Sequence, residues 1–210
     1  MTDELFFNAE SSELNKILDT AEQLFRKYGI RSVAMSDIAQ SLGMSKKTIY
    51  VHIANKEELV DKVLKRHFYK ELNCVQAIIN DAQNALDVLR RISLHVQQEF
   101  QNISHVLLFD LQKYHSEAWN LVMDFQTNVV AKQIRANLEQ GMIEGLYRKD
   151  LNVDLISRIY ATSLPIFTDN SFFENHSRAE IHQQFIKYHI MGIVSEKGRE
   201  WLKTHQMWSE

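Results

Sequence analysis

Across 210 residues there is one cysteine, Cys74, one proline, Pro165, and only six glycines. A single cysteine rules out an intrachain disulfide and a cysteine-based zinc site. So little proline and glycine leaves few places for the backbone to turn, which favours long helices over many short strands. The glycines stand where helices are expected to stop, at Gly29, Gly43, Gly141, Gly145, Gly192 and Gly198. No run approaches the ~18 uninterrupted apolar residues of a membrane span. The opening Met1-Thr2-Asp3-Glu4-Leu5 is acidic where a signal peptide would be basic. The expectation is an all-α, cytoplasmic protein with no membrane partner. Gly-x-Ser-x-Gly, phosphate-cradling glycine loops and His-Glu-x-x-His are also missing, so no enzyme is expected. Nine histidines raise the question of a metal, but none forms a His-x-x-x-His pair. His182 and His189 stand two helical turns apart, ~10 Å, too far to share an ion directly. No metal and no cofactor are expected.

What is present is an uneven distribution of charge. The net charge of −3 argues against a nucleic-acid partner. Between Phe25 and Lys56, however, Arg26, Lys27, Arg31, Lys46, Lys47 and Lys56 face Asp37 alone, a local balance of +5 that leaves −8 for the rest. A basic end on an acidic body suits a molecule that offers one face to phosphate.

The same stretch reads as a helix-turn-helix. Ile38, Ala39 and Leu42 lie on one face of a short helix, and Ala39 is small enough for another helix to cross closely. Gly43 supplies a positive φ at the helix end, and Ser45 is a good N-cap for the next helix. Ile49 and Ile53 then point to the core, leaving Lys46, Lys47, Val51 and His52 outward. In such a motif the start of the second helix enters the major groove.

Around this motif the pattern stays helical. Leu14, Ile17, Leu18, Ala21, Leu24, Phe25 and Tyr28 form a stripe over Ser12 to Tyr28, ended by Gly29. Asn55-Lys56-Glu57-Glu58 has the form of a capping box opening a helix toward residue 70, with an extension toward Asn80 left open. Further stripes follow at Leu86–Phe100, Val106–Phe125, Val129–Met142, Leu155–Leu164 and Ile181–Ile193, and Thr168–Ser177 reads as a loop.

Asp37-Ile38-Ala39, Gly43-Met44-Ser45, Thr48-Ile49-Tyr50, His52 and Asn55-Lys56-Glu57-Glu58-Leu59 together resemble the TetR family of transcriptional regulators. The resemblance covers residues 12 to 70. Beyond them only Met142-Ile143-Glu144-Gly145, Tyr147 to Asp150 and Gly192 to Gly198 look like family segments. Ile53 stands where an aromatic residue is usual. Ala34 and Met35 lie where a hydroxyl commonly caps the first helix of the motif; either Ser36 caps instead, or that phosphate contact is missing.

The resemblance implies a DNA-binding domain at residues 11–70, with its motif at about 33–52, and an effector-binding and dimerisation domain at 71–210. It implies a homodimer on a palindromic duplex operator, released by a small molecule, and most members are repressors. Two alternatives stand beside this reading: a TetR-shaped protein acting through protein partners, and an enzyme in the C-terminal domain. The lysines favour DNA over the first, and no clustered acid/base pair supports the second.

The DNA-binding candidates are Ser36, Ser45, Lys46, Lys47, Thr48, Tyr50, His52 and Lys56. Lysine can donate to guanine O6 and N7 or meet phosphate, and the sequence leaves that choice open. The family position of Tyr50 suggests a hydroxyl reaching phosphate while its ring packs. Lys56 opens a helix whose N-terminus adds positive potential. Phe109, Tyr114, Trp119 and Phe167 are candidates to line a pocket for an apolar or aromatic effector. Ile156, Tyr160, Phe185, Ile186 and Ile190, on the last two strong stripes, are candidates for the dimer interface.

Overall fold

The computed structural model describes residues 12–163, Ile166 and residues 175–205, with no account of the His105 side chain. Within them the chain is helical: α1 (Ser12–Tyr28), α2 (Met35–Leu42), α3 (Lys46–His52), α4 (Lys56–Asp81), α5 (Ala85–Gln101), α6 (His105–Tyr114), α7 (Ser116–Asp124), a π-helical turn (Phe125–Val130), α8 (Ala131–Ile143), α9 (Val153–Ala161), α10 (Arg178–Ile193) and α11 (Glu196–Thr204). The all-α reading holds, and α11 adds a short C-terminal helix that follows the last strong stripe.

Packing divides the chain into two units. One comprises residues up to Asn73 together with Asn102–Val122; the other takes Cys74–Gln101 and everything from Met123. The expected division after residue 70 falls inside α4.

In the N-terminal unit, the α1 stripe buries Ile17, Leu18, Ala21 and Phe25 against Ile38, Ala39, Ile49, Ile53, Leu59 and Val60. Full burial of each large aliphatic is worth ~1.5–3 kcal/mol, so this cluster outweighs the weak propensity of helices as short as α2 and α3. Ile53, in place of the usual aromatic, is fully buried, so its packing role survives. Leu111 and Ala118 bring α6 and α7 into the same core. On the far side of α1, Asp19 and Glu22 meet Arg66, His67 and Lys70 of α4. Burial alone would push Glu22 up, but hydrogen bonds from His67 and Lys70 outweigh it and hold the carboxyl at about 2.

The C-terminal unit packs α5, α8 and α10 around Leu86, Leu89, Leu138, Ile186 and Ile190. Its tightest point is Gly141, where a Cβ would run into the Tyr147 ring. That ring is fully buried, and its hydroxyl donates to Asn137 Oδ1 (2.9 Å) and the Ala85 carbonyl (3.2 Å). The late segments that resemble the family meet here. Tyr147 and Val194 form an antiparallel bridge, Arg148 N–H donates to Ile193 O, and Ser195 N–H to Leu146 O, each at 2.9 Å.

The inner face of α10 departs from expectation. Ile186 and Ile190 are fully buried in the subunit's own core, while Ile156, Tyr160 and Phe185 are half-buried against it. The apolar side chains turned outward are Leu155 and Ile159 of α9 and Tyr188 and Met191 of α10, with Tyr188 83 % exposed. Both faces of these helices are apolar, so periodicity does not separate core from outer surface.

Candidate nucleic-acid interface

The helix-turn-helix is shaped by local hydrogen bonds. Gly43 takes φ 64°, ψ 25°. Its N–H donates to Gln40 O (3.1 Å) and that of Met44 to Ala39 O (2.9 Å), a Schellman ending that closes α2. Ser45 is the N-cap of α3, accepting the Thr48 N–H at 3.1 Å, and the two hydroxyls are 2.9 Å apart. At the start of α4, Asn55 Oδ1 accepts the Glu58 N–H (2.8 Å) while Glu58 accepts the Ala54 N–H (2.7 Å).

Ser36 is not the cap of α2. The N-cap is Ala34, which has no side-chain acceptor, and Ser36 lies inside the first turn. Only the reciprocal half of a capping box is present, Asp37 accepting the Ala34 N–H at 2.8 Å.

With Ile49 anchored in the core, α3 presents Lys46, Lys47, Tyr50 and Val51 to solvent; Val51 is 74 % exposed. Among the described residues no carboxylate pairs with either lysine. His52 is engaged differently: its Nε2 lies 3.1 Å from Glu13 Oε2, tying the end of α3 to the start of α1. Lys56 is half-buried at the first turn of α4. Burial draws its ammonium below its ordinary value, opposed by the nearby Asp110, Glu57 and Asp37 carboxylates.

The aromatic candidates separate. Trp119 is half-buried against the N-terminal core. Phe109 and Tyr114 are both about half exposed on the same unit, edge to face with centroids 6.1 Å apart. None of these three lines the small apolar cavity of about 50 Å³ that opens among Phe25, Val60, Leu64, Leu107 and Leu111. Phe167 lies outside the described residues. Among the described residues, the C-terminal unit has its own ring cluster, which the sequence reading did not pick out as a group. Tyr160 lies 5.4 Å from Phe185 and 4.8 Å from His189, and Phe100 lies 5.5 Å from His182. The buried His189 Nε2 has no hydrogen-bond partner among the described residues.

A capped, two-helix motif with unpaired lysines on the outward start of its second helix defines a helix-turn-helix DNA-binding regulator. Residues 17–63 match the model of the family described as bacterial regulatory proteins, tetR family. Residues 17–63 are thus a helix-turn-helix segment of the TetR type. The chain is 25 % identical over 189 residues to the HTH-type transcriptional regulator YvaF of Bacillus subtilis, covering 87 % of this chain and 96 % of that one. It is 27 % identical over 154 residues to the HTH-type transcriptional repressor KstR2 of Mycobacterium tuberculosis, covering 70 % and 76 %. Among solved structures, the ketosteroid transcriptional regulator KstR2 of M. tuberculosis aligns with a TM-score of 0.56 at 23 % identity, over 91 % of this chain and all of that one. A transcriptional regulator from Cytophaga hutchinsonii aligns at 0.70 and 18 % identity, over 88 % of this chain and all of that one.

Proposed function

We propose that the protein is a dimeric transcriptional repressor that binds a palindromic operator and is released by a small apolar molecule. The observation that carries the reading is the exposed Lys46-Lys47 pair on a helix whose start is pinned by Ser45 and Thr48. In this reading Lys46 and Lys47 enter the major groove, while Ser36, Ser45, Thr48, Tyr50 and Lys56 meet the backbone. His52 steadies α3 through Glu13. The repressor names of relatives support the sign of regulation.

The dimer in this reading forms through the outward sides of α9 and α10, at Leu155, Ile159, Tyr188 and Met191. Obligate interfaces bury upward of ~2,000 Å² and are core-like, and exposed apolar side chains of this size are their raw material. For the effector we favour the Tyr160–Phe185–His189 cluster over Phe109, Tyr114 and Trp119, which pack with the N-terminal unit. Its aromatic side chains suit an apolar body, and the His189 Nε2, without a hydrogen-bond partner among the described residues, suits one polar group on it.

Selection from a random duplex library, followed by titration at several salt concentrations, tests the DNA reading. A palindromic preference is expected, with log K falling at ~0.9 per neutralised phosphate against log salt. Replacing Lys47 by Ala is expected to cost ~1–3 kcal/mol at one base position if it reads a base edge, whereas Lys56→Ala weakens all sequences alike. A wild type with neither sequence preference nor salt dependence overturns the proposal.

A further inference from the structure

Beside the helix-turn-helix, the N-terminal unit carries a group of cations laid on aromatic rings. The Arg31 guanidinium carbon stands 4.7 Å from the centre of the Tyr114 ring. Lys113 Nζ stands 5.0 Å from the Phe109 ring and 5.6 Å from that of Tyr114. Val106, Phe109, Tyr114 and Tyr28 are exposed around them. Neither Arg31 nor Lys113 forms an ion pair among the described residues. The carboxylate in their midst, Asp110, is buried and committed: its Oδ2 accepts the Arg31 N–H at 2.8 Å. That bond, with the Ser104 N–H to Arg26 carbonyl contact (2.8 Å), fixes α6 against the segment that leads from α1 into α2.

The position of the group matters more than its charge alone. Arg31 precedes Ser36 by five residues on the approach to α2. Asp110 and His115, on either side of Lys113 and Tyr114, both lie within electrostatic reach of Lys56 at the start of α4. The end of α6, with Lys113, therefore lies near the start of α4 and its Lys56. A guanidinium held flat on a ring keeps its N–H edges for an anion, and a planar fork matches phosphate.

The geometry points to a second phosphate-binding site on this regulator, built by Arg31 and Lys113 on the Tyr114 and Phe109 rings, that grips duplex DNA outside the sequence read by α3. It rests on the DNA-binding reading above and lengthens the contacted duplex without adding base recognition. Phosphate contacts fix register and carry no sequence information, so the site adds affinity to every sequence alike.

The test uses the full-length protein and a palindromic duplex recovered from a random library, in two forms: trimmed to the selected bases, and extended on each side by about one helical turn, ~10 base pairs. On the extended duplex Lys113→Gln and Arg31→Gln are each expected to flatten the log K–log salt slope by ~0.9 and to leave the base preference unchanged. Arg31→Lys is expected to restore most of the slope. On the trimmed duplex the Gln variants are expected to match the wild type. Wild-type slopes for both Gln variants on the extended duplex overturn the site and assign the patch to another kind of partner, such as an acidic protein surface. Equal losses on both duplexes also overturn it, since the substitutions then act through the fold. If the wild type shows no salt-dependent binding to either duplex, the DNA reading itself fails, a result distinct from the other two.

Discussion

The Asp37 carboxylate accepts the backbone N–H of Ala34 at 2.8 Å, so the residue three positions into α2 caps the helix start that alanine cannot. A negative charge in the first turn also complements the helix dipole. Asp37→Ala is therefore expected to lower stability by ~0.5–2 kcal/mol, the usual cost of a lost cap. Ala34→Thr is expected to add stability by supplying the second, missing acceptor. Urea midpoints of the two variants check both signs.

The inner and outer faces of α10 give opposite expectations for similar substitutions. Ile190→Asp places a carboxylate in a fully buried site, a cost comparable with the whole ~5–15 kcal/mol stability of a domain, and is expected to abolish folding. Ile159→Asp and Tyr188→Asp alter exposed positions and are expected to leave the circular dichroism spectrum intact while yielding monomers by light scattering. Dimeric variants that resist dissociation would remove the α9/α10 interface.

Gly141→Ala sets two effects against each other. Alanine is favoured over glycine inside a helix by ~1 kcal/mol, but the new methyl would overlap the buried Tyr147 ring. That ring is held by Asn137, Ala85 and the main-chain bonds around it, so it cannot swing away cheaply. Overpacking costs ~1–3 kcal/mol, and the variant is expected to melt below the wild type in a thermal scan.

Acid should weaken the fold in two windows. Burial lowers His182 and His189 from 6.5 to about 4, so their neutral forms are kept in the native state. The unfolded chain takes up protons first. This contribution is whole above pH 6.5 and falls as pH drops from 6.5 toward 4. Glu22, held at about 2 against 4.5, contributes fully above pH 4.5 and loses that contribution between 4.5 and 2. Replacing His189 by Gln is expected to shrink the upper window, leaving the His182 contribution, and Glu22→Gln to shrink the lower, in urea midpoints measured against pH.

The helix-turn-helix could be read in advance because its signals are local: Gly43 at a left-handed turn, Ser45 and Asn55 as caps, Ile49 and Ile53 one turn apart. A hydroxyl pattern near Ala34 does not reveal the substitute cap, because the acceptor is a carboxylate reaching backwards. Two other features depend on distant pairing. Asp110 reaches Arg31 across 79 positions, and that contact, together with Leu111 in the N-terminal core, places the Phe109–Tyr114 segment with the N-terminal helices. On α10, Phe185, Ile186, Tyr188, His189, Ile190 and Met191 encircle the helix with apolar groups. Packing alone then decides that 186 and 190 face inward and 188 and 191 outward.

This two-sidedness of α10 separates two kinds of evolutionary constraint. Its inner residues answer to a single interior and change only together with it. Its outer residues, and those of α9, are exposed and free of that obligation; as the proposed dimer interface they would be held only by the need for two copies to recognise each other. A duplicated gene could diverge at Leu155, Ile159, Tyr188 and Met191 and cease to exchange subunits with its parent while keeping the same scaffold. Cells that hold many regulators of one fold need such insulation, and in the proposed α9/α10 interface it would rest on side chains that leave the interior undisturbed.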